Sequence, residues 1–189
     1  MIEIAQEQID RVREILSEVP NGLEKALRSV IQRANSTVRT ETVKQITSVY
    51  AISRQNVRAE TNIKTKIQTI DGGIVGTITF AGYKIPLYRY SVTPTVPTQG
   101  ATVKAKMLKS NSQTPFVHAF IARMKNTGHT GIFERERKER LPVKEIMGLS
   151  TATMADNSVV LEKVEEKVQD TINKRIEHEV TRILNGYGR

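Results

Sequence analysis

Residues 53–80, SRQNVRAETNIKTKIQTIDGGIVGTITF, change period partway along. Ser53 is a ready N-cap for a short helical turn over RQNVRAET. From Asn62 onward, Ile63, Thr65, Ile67 and Thr69 alternate with Lys64, Lys66 and Gln68, the period of two that a strand imposes. Asp71-Gly72-Gly73 supplies turn chemistry, and GIVGTITF reads as a second strand. Helical pattern before and strand pattern after, in separate runs, predict an α+β chain.

Toward the N-terminus the helical period extends through two segments. Ile2, Ile9, Val12, Ile15 and Leu16 fall near one side of a first helix, which Pro20-Asn21-Gly22 breaks. A second helix starts near Leu23, with Leu27, Val30, Ile31, Ala34 and Val38 in one register and Val43, Ile46 and Tyr50 in another. The two registers do not join smoothly, so a bend or drift is expected across Thr40–Thr42. The polar face of this helix carries Lys25, Arg28, Arg33, Arg39 and Lys44.

Toward the C-terminus, Ala81-Gly82 turns the chain into YKIPLYRYSV, where Pro86 predicts an edge strand or a bulge. PTVPTQG (94–100) reads as a loop. ATVKAKML, FVHAFIARM and IFERER then read as strands, separated by KSNSQTP and NTGHTG. Five or six short antiparallel strands are expected between residues 62 and 137. The chain closes on Val160, Val164, Val168, Ile172, Ile176, Val180 and Ile183 or Leu184, an amphipathic helix capped by Asp156 or Asn157 and ended by Asn185-Gly186. The expected organisation is one domain over 1–189, with a helical part at 1–61, a β-rich part at 62–152 and a C-terminal helix at 153–189.

Composition narrows the function. With 38% hydrophobic residues, 5% aromatic and no Trp, the core is lean for 189 residues, and apolar surface buried by other subunits is expected. Cysteine is absent, which removes disulfides, thiolate nucleophiles and zinc-thiolate sites. The acidic MIEIAQEQIDRVREIL lacks the pattern of a signal peptide, and no run is long enough to span a bilayer, so a soluble chain kept inside a cell is expected. The net charge of +9 is uneven: −3 over residues 1–21, +10 over 22–110, +3 over 111–152 and −1 over 153–189. A cationic middle implies a solvated basic face or a surface for a polyanion or acidic partner.

Catalytic patterns do not emerge. His118, His129 and His178 have no metal-ligand spacing, and His178-Glu179 lacks the second histidine of a zinc-protease helix. No phosphate loop or nucleophile elbow is present, so no enzyme, metal or cofactor is expected.

The most charged run is FERERKER, at residues 133–140. As a helix it would have no apolar stripe to dock. As a strand it puts Glu134 and Glu136 on one face and Arg135 and Arg137 on the other, neither cheap to bury. An exposed hairpin arm, an edge or a charge-matched contact remain. Leu141-Pro142 ends the run, and Val143, Ile146 and Met147 offer apolar side chains on a short turn stopped by Gly148.

GIFERERKERLPVKEIMGLS resembles the signature region of the minor tail protein Z family, the tail completion proteins of long-tailed bacteriophages. Tyr50-Ala-Ile-Ser, Ile85-Pro86-Leu87, Ala119-Phe120-Ile121-Ala122 and the closing helix fall in the family's order, while Met147-Gly148-Leu149-Ser150 stands where aromatic-Gly-Pro-Ser is usual. The resemblance implies a structural virion protein at the tail-neck junction, assembled in the host cytoplasm and acting in tail completion and head-tail joining. Its expected partners are the tail terminator, the head-tail connector and its own copies in a ring such as a hexamer, with a DNA end nearby and no membrane. Docking is expected through Phe133, Glu134, Arg135, Glu136, Arg137, Arg140, Leu141, Pro142, Lys144, Ile146 and Met147. Arg33, Arg39, Lys44, Lys64, Lys66, Lys104 and Lys106 are the residues expected to face DNA. The alternative is a stand-alone nucleic-acid-binding protein, its Lys64, Lys66, Lys104 and Lys106 tracking phosphates and Tyr83, Tyr88 or Tyr90 stacking on bases.

Overall fold

Capping and apolar spacing set the helices. The computed structural model describes residues 4, 6–70 and 73–186. The first helix, α1 (Gln6–Ile15), buries Val12 and is followed by buried Leu16, whereas Ile15 is 42% exposed and drops out of the expected apolar side. Ile2 lies outside the described residues. Asn21 turns the chain with a φ of 56°, a left-handed conformation that Asn tolerates. The second helix, α2 (Gly22–Val49), stays helical through Thr40–Thr42, the place of the expected bend or drift. There Thr40 Oγ1 donates to the Ser36 carbonyl at 3.0 Å. The third, α3 (Arg54–Ala59), is capped as expected: the Asn56 N–H donates to Ser53 Oγ at 3.1 Å.

Strands follow, more numerous and shorter than the sequence suggested. They are β1 (Asn62–Ile70), β2 (Gly73–Ala81), β3 (Lys84–Pro86), β4 (Ser91–Thr93), β5 (Val103–Lys106), β6 (Thr114–Phe116), β7 (Ala119–Arg123), β8 (Thr130–Arg135), β9 (Val143–Glu145) and β10 (Met147–Ser150). Asp71 and Gly72 of the expected turn lie outside the described residues. Among the described residues the strands form four small sheets: β1–β2, β10–β3, β4–β5–β6 and β7–β8–β9. Eight of the described strands, β1–β8, lie between residues 62 and 137, and two breaks explain the excess over the five or six expected there. Pro86 ends β3, and a 3-10 turn over Leu87–Arg89 separates it from β4. A turn at Val117-His118 splits FVHAFIARM, so β6 pairs with β5 while β7 pairs with β8. The α+β class stands, with several small antiparallel sheets in place of a single one.

The chain closes with α4 (Thr151–Ala155) and α5 (Ser158–Leu184). Ser150 caps α4, a helix the sequence did not announce, by accepting from the Thr153 N–H at 3.1 Å. Asn157 caps α5 through the Val159 N–H at 3.1 Å, and Gly186, at a φ of 78°, ends it. No helix among the described residues is long and apolar enough to cross a membrane.

The chain divides into two compact units built from separated stretches. The first takes in the chain up to Thr42, Ile63–Thr79 and the chain from Leu161. Its buried residues include Val12, Leu16, Ala26, Val30, Ala34 and the α5 stripe Val164, Val168, Ile172, Ile176, Val180 and Ile183. Within it β2 lies against α2 at Gly76, where a Cβ would come within 2.5 Å of Ile31 Cγ2. The second unit takes in Val43–Asn62 and Phe80–Val160. Val43, Ile46, Tyr50, Val57, Ile85, Leu87, Val103, Ile132, Met154 and Val160 are buried in it. The register change along α2 thus coincides with the passage of one helix from the first unit to the second at Thr42/Val43.

Candidate functional site: a charged hairpin arm

The charged run is carried by the three-stranded sheet β7–β8–β9, with β8 in the middle. β8 begins Thr-Gly-Ile-Phe, and Gly131, Ile132 and Phe133 are buried. Its far end emerges as Glu134 and Arg135, and residues 135–142 are exposed throughout. β9 returns in register, pairing Phe133 with Glu145, Glu134 with Lys144 and Arg135 with Val143. The Glu136 N–H donates to the Pro142 carbonyl at 3.3 Å, which closes the base of the loop. The segment is therefore a hairpin: a buried apolar root and a solvated ionic tip.

A row of side chains crosses the sheet behind the tip. The Arg135 guanidinium carbon sits 5.6 Å from the Phe120 ring centroid, a cation–π distance. Phe120 lies opposite Phe133, their centroids 6.3 Å apart, and His129 meets Phe133 edge-on at 6.4 Å. His129 Nε2 lies 2.7 Å from Glu145 Oε1. Gly131 makes room for that carboxylate: a Cβ there would come within 2.3 Å of Glu145 Oε1.

The seven charged residues from Glu134 to Arg140 have no salt-bridge partner among the described residues. β8 ends at Arg135 and residues 136–140 form a run of bends, so the three- and four-residue spacing that brings charges together on a helix is absent. In α5 the opposite holds. Asp170 pairs with Lys167 at 3.1 Å and Lys174 at 2.8 Å, three and four residues away, and hydrogen bonds from Lys174 and then Lys167 hold its carboxyl below the usual range.

The expected docking residues divide by depth. Glu134 is half-buried, while Arg135, Glu136, Arg137, Arg140, Leu141, Pro142 and Lys144 are exposed, Leu141 at 70%. Phe133 is 5% exposed, so it braces the sheet from inside and offers no surface. The apolar anchor forms strands β9 and β10, not the expected turn. Ile146 is half-buried, and its backbone joins Ile132 and Leu87 at 2.8 and 3.0 Å; Met147 is 40% exposed. Gly148 is buried against the Tyr90 ring, where a Cβ would come within 2.6 Å of Cε2, so it acts by close packing and not as a stop.

The residues expected to face DNA fall in both units. Arg33, Arg39, Lys64 and Lys66 are exposed in the first, and Lys44 and Lys104 are exposed in the second. Lys106 is half-buried and donates to the Lys109 carbonyl at 3.3 Å. Of the three tyrosines expected to stack, Tyr83 is 94% exposed and the Tyr88 hydroxyl donates to the Thr95 carbonyl at 2.7 Å. Tyr90 is buried, its hydroxyl donating to the Leu149 carbonyl at 2.9 Å, and it offers no platform. No group of three or more His, Asp or Glu among the described residues could hold a metal ion.

Sequence reading did not find Phe120, Glu145 or the Val117-His118 turn as parts of this site. Glu145 meets His129 from sixteen residues away, and the one local signal was the missing side chain at Gly131. Comparison with known proteins returns no match among family models, curated proteins or solved structures.

Proposed function

We propose that the chain is a structural tail-completion protein of a long-tailed bacteriophage, placed at the head-proximal end of the tail and joining tail to head by subunit docking. The observation that carries this reading is the arm: seven consecutive charges, unpaired within the described chain, held out on a buried sheet root. A loop that meets charged groups on a neighbour gains register and selectivity from it. The lean core and the resemblance of residues 131–150 to the tail protein Z signature support the same reading. In it the partners are the tail terminator, the head-tail connector and further copies in a ring such as a hexamer, within the virion, and the protein works without a catalytic centre.

Replacing Arg135 and Arg137 together by Glu tests the proposal. The expected result is a protein with an unchanged far-UV spectrum and melting curve that yields tails but no infectious particles. Normal infectivity overturns the docking role.

A second reading, a stand-alone nucleic-acid-binding protein, is favoured by one observation: Lys64 and Lys66 are both exposed on one face of the two-stranded β1–β2 ribbon. A gel-shift series over salt separates the two. Tight binding of duplex DNA that weakens steeply with salt supports this second reading.

A further inference from the structure

We infer that the root of the arm holds a carboxylate-binding pocket that takes an acidic segment of a protein partner. This rests on the docking reading and narrows it to one pocket and one ligand chemistry. The pocket, of about 450 Å³, is lined by Val117, His118, Ala119, Phe120, Arg135, Arg137 and Lys138. Three of the arm's four cations thus converge on it, and none of its glutamates does. The antiparallel register puts Ala119 opposite Glu134, so the Val117-His118 turn sits where the arm leaves the sheet.

Three features choose the ligand. Guanidinium groups offer paired donors that match a carboxylate or a phosphate, and Arg135, Arg137 and Lys138 have no salt-bridge partner among the described residues. The wall beside them is mixed: exposed His118 stands with Ala119 and with Val117, which is 76% exposed, and Phe120 lies under Arg135. An aliphatic stem can pack there while its carboxylate meets the cations. With each water occupying about 30 Å³ of liquid, the volume suits a side chain and its neighbour better than a single ion.

The glutamates decide between protein and nucleic acid. Glu134, Glu136 and Glu139 alternate with the cations along the same arm. Residues adjacent in the chain have Cα atoms about 3.8 Å apart, well inside a screening length of about 8–10 Å at ordinary salt. A stiff duplex, with a phosphate fixed at every step, cannot avoid these glutamates. A flexible acidic segment can place one carboxylate among the three cations and lead its other charges away.

The test is an amide NMR titration of the full chain with poly-L-glutamate, run beside a duplex DNA oligonucleotide at the same salt. Poly-L-glutamate is expected to shift residues 117–120 and 135–138 together. The double variant Arg137→Ser, Lys138→Ser should raise the half-saturation concentration at least tenfold, and Val117→Asp should also weaken binding. Glu136→Gln with Glu139→Gln should tighten it, because two repelling carboxylates are removed. All these positions are exposed, and melting curves confirm the fold of each variant. Shifts confined to other residues, or no loss in the Arg137/Lys138 variant, overturn the pocket. The docking role is judged separately by the infectivity of the Arg135/Arg137 variant. Equal or stronger shifts at the same residues with duplex DNA overturn the choice of a protein ligand.

Discussion

Gly131 is the smallest residue of the arm's root and the least replaceable. Adding one methyl group there would force it within 2.3 Å of Glu145 Oε1 and 3.0 Å of Phe133 Cζ. Gly131→Ala is expected to cost about 1–3 kcal/mol, the usual range for overpacking, read as a lower urea midpoint at unchanged slope. Tyr90 gives a second prediction, in pH. Burial first, and then the nearby Tyr50, push its phenol up to about 12 from 10.0. The folded state therefore holds this proton more tightly than the unfolded chain. Its contribution to stability is complete below pH 10 and is lost as pH rises through about 12. Tyr90→Phe should flatten the fall in denaturant midpoint over that window; an unchanged slope would count against the assignment. The nucleic-acid-binding alternative offers Tyr90 as a stacking surface, on a YKIPLYRYSV strand read with an edge or a bulge at Pro86. The 3-10 turn over Leu87–Arg89 changes which way Tyr90 points, and nothing but Pro86 hinted at it.

At the scale of elements, legibility followed whether the signal was local. The α5 stripe from Val160 to Ile183 is buried residue for residue, because a helix declares its face through its own spacing. The caps at Ser53 and Asn157 were equally plain, since each depends on one side chain and the next few N–H groups. The break at Val117-His118 was not: no Gly, Pro, Asn or Asp marks it, and it is set by where β6 and β7 find their partners. The arm lies between these cases, its exposure legible and its pocket hidden, because the far wall comes from a different strand. Since residues 136–142 are exposed throughout, replacing 137–140 by a two-residue Asn-Gly turn should change stability by no more than about 0.5 kcal/mol. On the proposed docking role, the same variant should fail to support particle assembly. A cooperative melt lost on shortening would show instead that the tip holds the sheet together.

For the whole molecule, charge is the property that acts at a distance. Residues 22–110 carry a net +10, and both compact units contain exposed Lys or Arg from that stretch. Such dispersed cations attract any polyanion through counterion release. Under the docking reading, retention of duplex DNA is expected to be weak even at about 50 mM salt and gone by about 200 mM. Tight retention at about 50 mM would favour the nucleic-acid-binding reading. Retention indifferent to salt would point to a shaped nucleic-acid site in place of a general field. The division of the hairpin into a packed root and a bare tip bears on descent as well as on binding. Substitutions at Gly131, Ile132 or Phe133 strike the hydrophobic interior, whereas those from Glu136 to Pro142 fall on exposed side chains. A lineage can therefore rewrite the tip, letter by letter, while inheriting its foundation unaltered.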